Sequence, residues 1–183
     1  MIDPLLDVLP DGRHWLRVAD TGWDDPLDPS YAQRHGGRWN PPGSFPTLYL
    51  NEDLHTARAQ IIHMLEGFPV DPEDLDAPYV LVTVSLPRSQ ITADAVTDAG
   101  LGRLGLPSTY PMFDDGLVSH NKCRPIGAAV KLAGLRGVHA RSAATLDGAG
   151  RELAWFPARA SSKARRVSSD RSFADWWYPG ANG

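Results

Sequence analysis

The chain has 183 residues, 42% of them hydrophobic, which is enough for one sizeable core, and a single domain over residues 1–183 is expected. A formal net charge of −4 argues against a dedicated nucleic-acid binder. One cysteine, Cys123, excludes an internal disulfide, and six histidines without HxxxH or CxxC spacing leave no metal site expected.

In chain order, residues 14–19 read as a strand and residues 20–40 as a long loop rich in Gly, Asp and Pro. A loop of that length in a compact domain usually carries function. Residues 47–50 are the next strand. Asn51 is a reasonable N-cap for a helix in which Leu54, Ala57, Ile61 and Leu65 recur at helical spacing until Gly67. Gln60 lies off that stripe, on the side of Thr56 and of His63 or Met64. Residues 79–86, bracketed by Pro78 and Pro87, alternate apolar side chains on both faces and form the clearest strand.

Residues 91–93 suggest a short strand, residues 99–106 are broken by glycine, and residues 107–116 read as loop. Pro125, at an N1-like position, introduces a helix over residues 126–135 that stops near Gly134 and Gly137. Residues 138–140 and 153–156 are strands that can pair across a Gly-rich turn. The basic cluster of Arg159, Lys163, Arg165 and Arg166 reads as a solvated loop before a last strand over residues 164–168. Cys123 and His139 read as core packing. The aromatic tail within residues 171–183 packs on the body or on a second subunit, so a homo-oligomer stays open. More strands than helices, without regular alternation, point to an α+β fold. No signal peptide is recognised and no apolar run could span a bilayer, so the expectation is a cytoplasmic protein with no direct membrane or nucleic-acid partner.

The densest chemistry lies in Arg34-His35-Gly36-Gly37-Arg38-Trp39-Asn40-Pro41-Pro42, which runs almost directly into the strand bearing Tyr49. Glycines allow close backbone approach, and Arg38 offers a planar fork suited to phosphate or carboxylate. Trp39 either stacks on a ring or fills the core. With Arg17 on the early strand, Gly37-Arg38-Trp39-Asn40, Tyr49, and Ser142-Ala143 after a late strand, the chain resembles the RES-domain family over residues 15–156. That family comprises the toxins of RES–Xre toxin–antitoxin pairs. The resemblance departs at one position: the family's Glu falls at the end of Thr56-Ala57-Arg58-Ala59, where this chain has Gln60.

The resemblance implies a bent, split mixed or antiparallel sheet like that of ADP-ribosyltransferases. It also implies cleavage of NAD at the nicotinamide N-glycosidic bond, with water or phosphate as acceptor and an Xre-like helix-turn-helix antitoxin as partner. Arg38, Gln60 and Ser142 then stand at the catalytic positions. Arg17, Arg38, Tyr49, Trp39 and Asn40 stand at the NAD-binding ones. Gln is nearly isosteric with Glu but carries no charge and cannot act as a base, so the implied expectation is impaired turnover, with Glu52 or Glu66 as the nearest substitutes. A catalytically inactive NAD-binding homologue or an engineered inactive form, and a protein ADP-ribosyltransferase, are the alternatives.

Overall fold

The computed structural model describes residues 2–74, 79–159 and 163–178. Strands β1 (Leu6–Val8) and β2 (His14–Asp20) precede a short helix, α1 (Ser30–His35), and strand β3 (Leu48–Asn51). Helix α2 (Leu54–Leu65) leads to β4 (Tyr79–Ser85), β5 (Ile91–Ala95) and α3 (Asp98–Arg103). A small hairpin of β6 (Met112–Phe113) and β7 (Gly116–Leu117) precedes α4 (His120–Leu132). Strands β8 (Gly137–Arg141), β9 (Arg151–Trp155) and β10 (Arg165–Arg166) and helix α5 (Phe173–Trp177) follow.

Among the described residues, eight strands make one mixed sheet in the order β1-β5-β8-β9-β3-β2-β4-β10, in which β5 and β8 run parallel. The four strands expected around residues 14–19, 47–50, 79–86 and 152–156 all join it. The sheet is split where β2 meets β3. Those strands are matched only at Leu16 and Asn51, whereas β2 and β4 share a seven-residue register. Divergence at that seam opens the space in which the site forms.

Alternation along the strands sorts the core into faces. On one face, α3 and α4 pack Leu101, Cys123, Ile126 and Val130 with Trp39 against Ala93, Val138, Ala140 and Ala154. Beyond the seam on that face, α2 and α5 set Ala57, Ile61, Phe173 and Trp176 against Val18 and Leu81. The opposite face carries Trp15, Leu48, Leu50, Val82, Val84, Leu153 and Trp155. The aromatic tail therefore packs on the body of its own chain. Residues 179–183 of that tail, and Pro78, lie outside the described residues.

Several sequence expectations need correcting. The loop over residues 20–40 contains α1, a helix that buries none of its residues and so has no apolar periodicity to read. Helix α2 is capped by Asp53, whose carboxylate accepts the Thr56 N–H, while Asn51 ends β3. Helix α4 starts at His120, so Pro125 lies inside it instead of at its first turn. Proline removes the N–H that the Asn121 carbonyl would accept, and Asn121 is exposed, so water can take its place. The glycine-broken stretch holds α3, the loop over residues 107–116 holds most of a hairpin, and the last strand shrinks to Arg165–Arg166.

His139 is buried as expected, but its surroundings are charged. Its Nδ1 lies 2.6 Å from Asp7 Oδ2 and its Nε2 3.1 Å from Glu52 Oε2, and Arg13 pairs with Glu52. The His139 hydrogen bond holds the Glu52 carboxyl below its ordinary value against partial burial, with Arg13 and Arg151 assisting. A carboxyl lowered on folding contributes stability above its unfolded value and loses it as pH falls through the folded one. Thermal stability should therefore drop as pH falls below about 4.5, more steeply in the wild-type chain than in Glu52→Gln. Parallel melting curves over pH 3–6 for both chains would leave this account without support.

Candidate functional site

The seam opens into a pocket of about 370 Å³ whose lining includes Arg17, Arg38, Tyr49, Gln60, Ser142 and Glu152. That volume lies in the usual range for small-molecule sites. The two glycines before Arg38 do separate jobs. Gly36 has φ 76° and ends α1 in the left-handed region that favours glycine. A Cβ on Gly37 would fall on the Tyr49 ring. The close approach lets the Tyr49 hydroxyl accept the Trp39 N–H at 2.9 Å and donate to Asn40 Oδ1 at 2.9 Å. Burial pushes the Tyr49 phenol well above its ordinary value, so it stays a neutral hydrogen-bonding group.

Arg38 is half-buried, and one of its nitrogens donates to the Val118 carbonyl at 2.6 Å. Burial opposes its charge, but Tyr110, Glu152 and Cys123 nearby more than offset this and hold its pKa above the ordinary value. Arg17 is differently occupied. Its Nε donates to the Pro26 carbonyl and a terminal nitrogen to the Tyr49 carbonyl, each at 2.9 Å, which ties the loop to both sides of the seam. Its guanidinium lies 5.3 Å from the Trp23 ring centroid, and burial brings its pKa down to about 10. Arg17 is thus a buried clamp at the pocket wall, with Nε and one terminal nitrogen committed to backbone carbonyls.

Trp39 and Asn40 are fully buried behind the pocket and do not line it. Their expected direct contact with a ligand is corrected to support: Asn40 holds α1 through the Ala32 carbonyl and orients Tyr49, and the Trp39 indole points to Glu152 at 3.4 Å. Gln60 does face the pocket, with its Oε1 accepting from Asn51 Nδ2 at 2.7 Å. Ser142 is buried at the end of β8 and donates to Glu152 Oε2 at 3.1 Å. Strand β4 contributes no residue to the pocket lining.

Glu152, His120, Trp23 and Tyr31 were missed. Glu152 is in phase with Ala154 and Phe156 on the side of β9 that α3 and α4 cover, and a charge at the head of a strand apolar on both faces was the available signal. Burial pushes its carboxyl up from the ordinary value, with Arg38, Ser142, Trp39 and the Ala143 N–H opposing the shift. The proposed substitutes fall elsewhere: Glu52 is engaged with Arg13 and His139, and Glu66 pairs with His63 near the end of α2. At the mouth, the half-exposed Trp23 and Tyr31 rings stack at 5.3 Å. Among the described residues, no group of three or more His, Cys, Asp or Glu side chains could hold a metal ion, and no helix is long and apolar enough to cross a membrane.

An α+β protein with a split mixed sheet, and a pocket at the split that brings together a cation, a half-buried carboxylate, a hydroxyl and an amide, is the class these features define. The RES domain family model matches residues 9–179, and the chain belongs to that family. It is 28% identical over 115 residues to the NAD(+) phosphorylase MbcT of Mycobacterium tuberculosis, and equally to that of Mycobacterium bovis. The matched stretch spans 62% of this chain and 59% of those relatives. The crystal structure of the M. tuberculosis MbcT–MbcA toxin–antitoxin complex holds a chain with TM-score 0.68 and 21% identity, covering 95% of this chain and 88% of that one. That likeness is one of fold.

Proposed function

We propose that this chain degrades NAD by transferring its ADP-ribose unit to phosphate, in the cytoplasm, and that a small antitoxin protein with an Xre-like helix-turn-helix restrains it. The observation that carries the reading is the juxtaposition of Arg38, Ser142 and Glu152 in one pocket of a RES-domain chain. The relatives' description as NAD(+) phosphorylases favours phosphate over water as acceptor.

In this reading the bond between the ribose C1 and the nicotinamide nitrogen breaks, and its electron pair leaves with nicotinamide. A phosphate oxygen forms the new bond to C1. Arg38 binds the pyrophosphate or the incoming phosphate, a task suited to a planar guanidinium. Trp23 and Tyr31 supply a stacking surface for an aromatic ring at the mouth. Gln60 and Tyr49 border the nicotinamide ribose.

Purified chain incubated with NAD should release nicotinamide faster when inorganic phosphate is added, and mass spectrometry should find ADP-ribose carrying one additional phosphate. ADP-ribose alone, at a rate indifferent to phosphate, would change the acceptor to water. Label transferred from NAD to protein would favour an ADP-ribosyltransferase instead.

A further inference from the structure

The geometry points to Glu152 as the carboxylate that faces the ribose cation in this chain, in place of the one missing at position 60. The inference rests on the NAD-cleaving reading and deepens it by assigning the charge that the reaction needs.

Breaking the glycosidic bond shifts positive charge from the pyridinium to the ribose, so a fixed negative charge beside the ribose lowers the barrier. Position 60 cannot supply it, since Gln60 is an amide already paired with Asn51. Glu52 and Glu66 do not line the pocket, whereas Glu152 does. Its carboxylate accepts from Ser142 Oγ at 3.1 Å and from Trp39 Nε1 at 3.4 Å, and the Ala143 N–H adds a third donor. Three donors favour the ionised form and fix the group before substrate arrives.

Placement of the charges fits the substrate. Arg38 lies close enough to interact with Glu152, without a direct ion pair among the described residues. The pocket therefore presents a cation and an anion side by side. NAD offers the complement: a pyrophosphate for Arg38 and a ribose that becomes cationic for Glu152. The same arrangement orients Ser142, whose hydrogen goes to Glu152 and whose oxygen accepts the Ala144 N–H at 3.2 Å. Arg38, from the loop before β3, is the ionisable group whose charge acts on Glu152, and Glu152 in turn acts on Tyr49 from β3, Tyr110 from the loop before β6 and Cys123 from α4. Of these, burial holds both phenols and the thiol above their ordinary values, so they stay neutral.

Three chains decide the matter: wild type, Glu152→Gln and Gln60→Glu. Each is tested for NAD binding by titration calorimetry and for nicotinamide release at fixed phosphate. Wild type should turn NAD over, and Glu152→Gln should lose about 10²–10³-fold in kcat while its dissociation constant for NAD stays within about threefold and its melting temperature does not fall. The wild-type rate should rise with pH through an acidic limb displaced above the ordinary carboxylate range, because burial raises Glu152. Glu152→Gln should lack that limb at the same phosphate concentration, which separates it from phosphate's own titration. Equal kcat in wild type and Glu152→Gln would overturn the proposal, as would a loss that appears only in binding. Turnover by Gln60→Glu alone, with wild type binding NAD but leaving it intact, would overturn it while leaving the NAD-cleaving reading in place. Absence of NAD binding by all three would end both.

Discussion

Gly127→Ala should be among the most destabilising single substitutions in the chain, costing about 3 kcal/mol or more, at the upper end of what overpacking does. Gly127 lies on α4 where the helix presses on the backbone of Trp39, and an added Cβ would fall on the Trp39 carbonyl oxygen. Neither side can yield easily. The obstacle is backbone, not the tip of a flexible side chain, and Trp39 is itself fully buried among Tyr110, Cys123 and Ile126. Relief would require α4 to lift away, which would open the core that backs the pocket. For a chain of this size that cost corresponds to a fall of about 6–12 °C in melting temperature. Differential scanning calorimetry reads it directly, and a Gly127→Ala chain that melts with the wild type would mean that α4 does not pack on the Trp39 backbone as described.

Arg38→Ala should weaken NAD binding by about 1.5–3 kcal/mol, roughly 10–150-fold, the scale of charge-assisted hydrogen bonds in an enclosed site. Arg17 should not compensate, because its guanidinium is buried and held in place by the Pro26 and Tyr49 carbonyls. Arg38→Lys should recover part of the loss, since it keeps a charge but not the planar fork. Because Arg38 also donates to the Val118 carbonyl, the melting temperature must be measured beside the affinity. Unchanged affinity in a well-folded Arg38→Ala chain would make this arginine a structural tie between the loop and the segment that joins β7 to α4. Loss of affinity without loss of fold would make it the anion-binding group of the pocket.

Much of this was legible from local pattern. Strands β2, β3, β4 and β9 are short apolar runs bounded by turn residues, and α2 carries apolar side chains at helical spacing. The paired glycines before Arg38 were recognisable as a close-approach motif, although not that Gly36 serves a helix end and Gly37 the Tyr49 ring. Helix α1 and the first turn of α4 were missed for the same reason. Neither the six residues Ser30–His35 nor the polar start of α4 buries enough to leave a periodic trace.

The chain's own residues thus determined the central strands of the sheet though not β1, the family, and the set Arg38, Tyr49, Gln60 and Ser142 that converges on one pocket. Only the tertiary structure decided which charged groups share that pocket. Glu152 comes from β9, far along the chain from Arg38, and the two meet because β9 pairs with β3 beside the seam where β3 and β2 diverge. Arg17 and Trp39 carry residue types suited to a ligand, yet the first is bound to backbone carbonyls and the second is sealed in the core. Residue type and spacing report what a side chain can do over a few neighbours. Burial, desolvation and the partners that use up its donors are set by strands and helices distant in sequence, and those decide what it does.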